Sequence, residues 1–124
     1  MPRPYRVFCH CGAIGLEVDA ELEGLVECNC STCARHGFLH WKVPNSAVRL
    51  LTQSQPMTAY LWRDPYGHQF CPVCGVGLAR GGYPGDRMSV NARCVEGIDV
   101  FRLEVSRYDG RNDMPPGPLP PRGG

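Results

Sequence analysis

The sequence predicts a small, mainly β domain of antiparallel strands that is braced by metal-binding cysteines. Short runs of β-branched, aromatic and apolar residues alternate with turn-forming residues, and no periodic run supports a helix of more than about three turns. The 124 residues include 15 glycines and 12 prolines, which favour turns over long helices. Seven of the eight cysteines fall in tight clusters with the spacing of metal ligands. A chain of this length has the size of one domain.

The β-prone runs can be placed in chain order. The first two lie at residues 5–8 and 14–18, and Gly12 supplies the tight turn of a hairpin between them. Further strands are expected at residues 38–43, 48–51 and 58–62, which are separated by Pro44-Asn45 and Gln55-Pro56, and at residues 88–91 and 100–105. We expect at most one short helical turn, at residues 31–36, with Ser31 as its N-cap.

The domain is expected to span residues 1–108. From Asp109 onward the chain is rich in proline and glycine, and it has too few apolar side chains to offset the entropy lost on ordering. Residues 109–124 are therefore predicted to form a flexible tail without a function of their own.

Two of the cysteine clusters repeat one pattern. Phe8-Cys9-His10-Cys11-Gly12 resembles Phe70-Cys71-Pro72-Val73-Cys74-Gly75. In each copy a strand enters, two thiols project from a turn, and the following glycine can adopt a positive φ that points backbone N–H groups at sulfur. We expect two cysteine-bearing hairpins that face one ion.

These four thiols suit a structural zinc site. Zinc prefers four tetrahedral ligands at such sites, and closing a long loop with one ion stabilises a small domain. Two disulfides and free buried thiols are the competing interpretations, which a reducing compartment and the strain of C-x-C disulfides disfavour. The predicted ligands are Cys9, Cys11, Cys71 and Cys74.

The middle cluster contains three cysteines, Cys28, Cys30 and Cys33. Three thiolates leave one zinc coordination position for water or substrate, which makes this a candidate catalytic site. They also leave the site with a net negative charge, so a soft substrate thiol suits the open position better than water activation does. Two alternatives remain open: His36 closes the site as a fourth ligand, or the cluster is a redox-sensing thiol group without metal.

Other features carry weaker indications. Thirteen basic and twelve acidic residues give a net charge of +1, so no nucleic-acid partner is indicated. The chain shows neither a secretory signal nor an apolar run of membrane-spanning length, so we expect a cytoplasmic protein and no membrane partner. Cys94 is expected to be a small buried hydrophobe. Arg35, His40 and Trp41 are near the middle cluster in sequence and could line a pocket for a peptide-like thiol, while Trp41 could equally be a core residue.

The three clusters together resemble a known family. The chain contains C-H-C-G at residues 9–12, C-N-C-S-x-C at residues 28–33, F-C-x-x-C-G at residues 70–75 and V-N-A-R-C-V-E-G at residues 90–97. In this order the motifs resemble the glutathione-dependent formaldehyde-activating enzyme family, which includes centromere protein V, over roughly residues 5 to 107.

The resemblance implies a zinc-braced β-tent with two zinc ions per chain. One is a structural zinc held by Cys9, Cys11, Cys71 and Cys74, and the other is a catalytic zinc held by Cys28, Cys30 and Cys33. It also implies condensation of formaldehyde with glutathione to S-hydroxymethylglutathione, or in reverse a carbon–sulfur lyase. His36 and the proline-rich tail are the departures from the family pattern.

Two functional hypotheses follow from the sequence. The first is a zinc-dependent carbon–sulfur lyase or condensing enzyme that acts on a glutathione-like thiol and a small aldehyde such as formaldehyde. The second is a non-enzymatic zinc-binding or protein-interaction module whose second site is closed by three cysteines and His36. The sequence indicates no oligomeric state.

Overall fold

The computed structural model describes residues 3–61, 67–83 and 86–113. Ten strands make up the two sheets of this part of the chain. Their bounds are β1 Tyr5–Phe8, β2 Ile14–Val18, β3 Leu25–Cys28, β4 Leu39–Pro44, β5 Val48–Gln53, β6 Thr58–Tyr60, β7 His68–Phe70, β8 Gly77–Tyr83, β9 Arg87–Asn91 and β10 Val105–Tyr108. The predicted mainly β fold is confirmed. No helix among the described residues is both long enough and apolar enough to cross a membrane.

The smaller sheet has three strands in the order β1-β2-β5, and all its pairs are antiparallel. β1 and β2 form the predicted hairpin, with Tyr5 opposite Val18 and Phe8 opposite Gly15. Ile14, Leu16 and Val18 are buried at alternate positions of β2, as expected for a strand that turns one face toward a core.

The larger sheet has seven strands in the order β10-β3-β4-β9-β8-β7-β6. The β7–β8 pair is the second predicted cysteine-bearing hairpin. One pair departs from the predicted antiparallel arrangement, because β10 lies parallel to β3, with Val105 beside Leu25. No hairpin joins these two strands, and the long intervening chain leaves either direction open to the last strand.

The core lies between the two sheets and is organised around Trp41. Its side chain is fully buried, and the ring of Tyr5 packs edge-on against it with centroids 5.7 Å apart. The indole N–H donates a hydrogen bond to the Glu21 carbonyl at 2.8 Å, so the polar end of this residue is also satisfied. Leu39 and Val43 share the core face of β4 with Trp41, while His40 projects from the opposite face.

The helical segments are all short. The segment α1 spans Ser31–His36, as predicted, and a second turn, α2, spans Gly110–Asp113. Short 3-10 turns occupy Asn45–Ala47, Ala92–Cys94 and Val100–Arg102. The sequence therefore predicted fewer helical turns than the structure has. The N-cap of α1 is Cys30 rather than the predicted Ser31, since the Cys30 sulfur accepts a hydrogen bond from the Cys33 N–H.

Two predicted strands differ from the observed ones. Residues 100–105 were expected to form a strand, but the Asp99 carboxylate accepts a hydrogen bond from the Phe101 N–H at 3.0 Å and caps a 3-10 turn there. The strand begins only at Val105. The strand expected at residues 58–62 is described to residue 61, and Trp62 lies outside the described residues.

The chain continues past Tyr108 as ordered structure. The sequence predicts residues 109–113 to be part of the flexible tail, but they form α2 and its cap, and two hydrogen bonds join them to the Asn29 side chain. These bonds supply the ordering that the local composition does not. Residues 114–124 lie outside the described residues, and the domain boundary at residue 108 stays a prediction.

The buried side chain of Asn91 joins three segments. Its oxygen accepts hydrogen bonds from the Leu39 and Arg93 N–H groups, both at 3.2 Å, and its nitrogen donates to the Gly77 carbonyl at 2.8 Å. An apolar residue of any shape would leave the backbone groups of β4 and β8 without these partners.

We predict that Asn91→Ala lowers the free energy of unfolding by about 2 to 4 kcal/mol, because it orphans buried donors and an acceptor. Urea denaturation followed by circular dichroism measures this loss. Gln53→Ala on exposed β5 is the matched control and should change stability by less than about 0.5 kcal/mol. Equal midpoints for the two variants would contradict the bridging role of Asn91.

Candidate functional site

The two cysteine-bearing hairpins bring four thiols together. The sulfurs of Cys9, Cys11, Cys71 and Cys74 all lie within 4.8 Å of one another. Cys11 Sγ is 3.7 Å from Cys9 Sγ and 3.7 Å from Cys71 Sγ. A tetrahedral zinc site with Zn–S bonds of about 2.3 Å has sulfur–sulfur edges of about 3.8 Å, so the spacing fits this ion. All eight cysteines are free, and no disulfide competes with this arrangement.

The two turns have the same local construction. Gly12 and Gly75 each have a φ of 79°, a conformation that glycine adopts without strain. The Cys9 N–H donates to the Ile14 carbonyl and the Cys71 N–H to the Val76 carbonyl, at 3.2 and 3.0 Å. The repeated sequence pattern therefore corresponds to a repeated backbone structure.

Backbone amides favour negative charge on these sulfurs. The Ile14 N–H lies 3.3 Å from Cys9 Sγ, and the Val73 N–H lies 3.4 Å from Cys71 Sγ. A hydrogen bond from the Cys11 backbone, only partly offset by desolvation, lowers the pKa of Cys74 to about 6. Such a thiol readily supplies the thiolate that a metal requires.

The three middle cysteines form a second, separate group. Their sulfurs also lie within 4.8 Å of one another, and all three residues are buried. Cys28 ends β3, Cys30 caps α1 and Cys33 lies in the first turn of that helix. The Cys30 N–H points at Cys28 Sγ and the Cys33 N–H at Cys30 Sγ, both at 3.5 Å. The strand-to-helix junction thus gathers the three sulfurs locally, without a distant partner.

The three thiols differ in acidity. Burial acts to raise the pKa of Cys30, but hydrogen bonds from the Thr32 hydroxyl and the Cys33 N–H outweigh it and lower this pKa to about 7. Burial, together with the charge on Cys30, raises the pKa of Cys33. Burial also raises the pKa of Cys28. A cation among the sulfurs would offset the charge that burial disfavours.

His36 does not belong to this group. Its imidazole stacks on the ring of His68, with centroids 4.4 Å apart and planes 17° apart, and it also faces Tyr60 at 6.3 Å. The ring therefore points toward β6 and β7. His36 therefore does not close the second site in the structure. It is the last residue of α1, and its side chain packs against His68 and Tyr60.

His40 is the imidazole that contacts this group, through the sulfur of Cys33. Its Nε2 lies 3.2 Å from Cys33 Sγ and its Nδ1 lies 2.8 Å from Ser89 Oγ. Burial, reinforced by the charges of Arg80 and Lys42, lowers the pKa of His40 to about 4, so the ring is neutral near pH 7. From the sequence, His40 is only a neighbour of the middle cluster that could line a pocket, and no contact with the cysteines is expected. The alternation of β4 was the available signal, since it turns residue 40 away from the core face that Leu39 and Trp41 share.

An open cleft of about 540 Å³ lies beside the three cysteines. Cys28 and Cys33 contribute to its wall, so the group is buried but borders solvent-accessible space. Polar residues surround the opening, and they carry both signs of charge. They include Glu27, Asn29, Arg93, Arg107, Tyr108 and Asp109.

Glu27 lies between two guanidinium groups of the cleft. Its carboxylate is 3.4 Å from Arg93 Nη2 and 3.5 Å from Arg107 Nε. Arg93 also donates to the Gly37 carbonyl at 2.8 Å, which ties it to the end of α1. The opening is thus polar and close to neutral overall.

The C-terminal segment, residues 107–113, forms one side of the cleft and is hydrogen-bonded to the loop between Cys28 and Cys30. Asn29, between Cys28 and Cys30, donates to the Asp109 carboxylate and accepts from the Arg111 N–H, both at 2.9 Å.

Two of the other residues that the sequence places near the middle cluster do not line the cleft. Trp41 is in the core, and Arg35 donates to the Ser31 carbonyl of its own helix.

Cys94 lies outside both cysteine groups. It is partly buried, its sulfur faces the Gly77 carbonyl at 3.7 Å, and burial raises its pKa to about 11. Cys94 packs against the core, but it is less buried than the small buried hydrophobe that the sequence predicts.

Comparisons with known proteins agree with this fold. A family model described as glutathione-dependent formaldehyde-activating enzyme matches residues 4–102. A crystal structure of a Rhodobacter sphaeroides protein, determined as a structural genomics target, superposes with a TM-score of 0.71 at 27% sequence identity. That match covers 83% of this chain and 99% of the Rhodobacter sphaeroides chain.

We predict that Cys71→Ser lowers the melting temperature by roughly 10 to 20 °C, because loss of one ligand weakens binding of the ion that would connect the two hairpins. Differential scanning calorimetry on zinc-loaded protein measures the change. Cys94→Ser is the matched control, since it removes a thiol outside both groups, and it should shift melting by a few degrees at most. A Cys71→Ser protein that melts like the parent would refute a structural metal at this site.

Proposed function

The chain belongs to the glutathione-dependent formaldehyde-activating enzyme family, and from this premise we propose that it is a zinc-dependent carbon–sulfur lyase. In the condensing direction it would join a glutathione-like thiol to a small aldehyde such as formaldehyde. In the lyase direction it would split the same adduct.

One observation carries the proposal: a group of three buried thiols borders an open cleft through Cys28 and Cys33, whereas the two hairpins bring a full set of four thiols together. A four-thiol set uses every position of a tetrahedral ion and suits a structural role. A three-thiol set leaves a position for an incoming group, and here the cleft gives that group access. The difference in ligand number supports one structural and one catalytic ion.

The residues of each group fit zinc. Cys28, Cys30 and Cys33 would hold the catalytic ion, and Cys9, Cys11, Cys71 and Cys74 the structural one. Zinc bound by the three cysteines would supply a Lewis acid that favours the thiolate form of the substrate sulfur. A divalent ion with three thiolates carries a net negative charge, which suits a soft sulfur ligand better than activation of water.

The chain's own residues would bind and orient the substrates. The cleft is wide enough for a peptide-sized thiol, and the mixture of guanidinium and carboxylate groups suits a zwitterionic molecule. Glutathione has this character. Holding the thiol and the aldehyde together removes much of the entropic cost of a reaction between two molecules.

The reaction is balanced without a redox partner. The substrate sulfur bonds to the aldehyde carbon, the carbonyl π bond breaks and its electron pair moves to oxygen, and the proton lost from the thiol is added to that oxygen to give the alcohol. No electron acceptor is needed.

We also propose that the enzyme works in a reducing compartment such as the cytoplasm, because the site depends on free thiols.

The non-enzymatic alternative loses its structural basis. It required His36 as the ligand that closes the second site, and the His36 ring packs against His68 instead. The cleft beside Cys28 and Cys33 favours access by a small molecule over a closed site.

We predict that Cys30→Ser lowers the rate of thiol–aldehyde condensation by roughly 100-fold or more, because a serine oxygen is a poor replacement for thiolate at a soft site. Metal content should fall from two ions to one. The fold should persist, since serine is also a good N-cap and can replace Cys30 at the start of α1.

Exchange NMR with labelled formaldehyde and glutathione measures the rate, and mass spectrometry under native conditions counts the ions. Cys94→Ser should match the parent in both measurements. Normal turnover in a Cys30→Ser protein that holds a single ion would rule out the proposed catalytic site.

A further inference from the structure

We propose that His40 is a positioning residue whose Nε2–H donates a hydrogen bond to the Cys33 thiolate, and that the Ser89 hydroxyl selects the tautomer that makes this possible. The inference deepens the proposed function and rests on Cys28, Cys30 and Cys33 acting as metal ligands. Its test reads the metal site directly and needs no turnover.

The geometry forms a buried relay of three side chains. His40 Nε2 lies 3.2 Å from Cys33 Sγ, and His40 Nδ1 lies 2.8 Å from Ser89 Oγ. His40 is 5% exposed and Ser89 is fully buried. Both contacts are therefore protected from competition with water, which strengthens them.

The chemistry of the two end groups fixes the proton positions. A thiolate ligand can only accept, so the ring nitrogen that faces it must carry hydrogen. The other nitrogen of a neutral ring then presents a lone pair, and the Ser89 hydroxyl can donate to it. The opposite tautomer would put two lone pairs 3.2 Å apart at the sulfur.

The imidazole acts on a ligand and is not itself one. The three cysteine sulfurs lie within 4.8 Å of one another, and no His40 nitrogen belongs to that group. A fourth tetrahedral ligand would have to approach all three sulfurs. A hydrogen bond to the sulfur of Cys33 is the arrangement of an outer residue that orients and tunes a ligand.

The sheet holds the ring in this orientation. His40 lies on β4 between Val26 of β3 and Asn91 of β9, in the interior of the larger sheet. The Phe38 ring packs against the imidazole with centroids 4.8 Å apart. Ser89 lies on β9, two positions from Asn91, so neighbouring strands supply both members of the pair.

This arrangement answers a problem that three thiolates create. Their negative charge makes the bound ion a weak Lewis acid. A hydrogen bond to Cys33 withdraws electron density from that sulfur, so a bound ion would accept electrons from an incoming thiol more readily.

The test compares His40→Leu, His40→Gln and Ser89→Ala in cobalt-substituted protein. Leucine removes the donor, whereas the glutamine amide can restore an N–H near the Nε2 position. Ser54→Ala, at an exposed site, is the control for Ser89→Ala. The Cys30→Ser protein, which retains the four-thiol site, supplies the spectrum to subtract.

For His40→Leu and Ser89→Ala we expect the sulfur-to-cobalt charge-transfer band of the second site to move to longer wavelength. Chelator competition should show roughly 10-fold weaker binding of the second ion. His40→Gln should recover most of both values, and the four-thiol site should not change.

Unchanged spectra and affinities in both His40→Leu and Ser89→Ala would overturn the proposal. A change in His40→Leu without one in Ser89→Ala would refute the tautomer-selecting role of Ser89. Loss of second-ion binding that His40→Gln does not restore would identify His40 as a ligand and would also overturn the proposal. If His40→Leu does not fold, Ser89→Ala alone decides. None of these outcomes depends on whether the protein condenses a thiol with an aldehyde.

Discussion

The convergence of four thiols from two hairpins is the constraint on which the rest of the structure depends. Cys11 and Cys71 are 60 positions apart, yet their sulfurs lie 3.7 Å from each other. One hairpin belongs to the three-stranded sheet and the other to the seven-stranded sheet. A single ion at this point would join both sheets at one edge of the core, and would remove much of the entropy of the unfolded chain. A small domain without long helices gains most from such a connection.

The second group of cysteines is built differently, and the difference suits its proposed role. Cys28, Cys30 and Cys33 come from one strand-to-helix junction, so a short segment determines their arrangement. The fold is not held together through them. A site of this kind can keep an open position and exchange ligands at little cost to stability, while the four-thiol site preserves the scaffold.

The larger sheet provides what the junction lacks. Its inner strands β4 and β9 place His40 in contact with Cys33 and Ser89 in contact with His40. Its edge strand β10 leads into the residues that are hydrogen-bonded to Asn29. The hydrogen bonds of Asn29 are the direct link between the last described turn and the loop that carries the cysteines. The cleft and the residues around the three cysteines therefore depend on strand pairings between segments that are distant in sequence, whereas the cysteines themselves come from one short segment.

The sequence by itself determined the features that depend on local chemistry. The two cysteine hairpins follow from paired thiols and a glycine with positive φ, and the bounds of β1, β2 and α1 follow from short runs and their turns. Tertiary structure decided the features that depend on distant pairing. Residues 109–113 are hydrogen-bonded to the Asn29 side chain, β10 pairs with β3 in parallel, and the ring of His36 stacks on His68. His40 contacts Cys33 because β4 pairs between β3 and β9, which places its outward-facing side chain beside α1. The spacing of residues along the chain does not predict which strands pair.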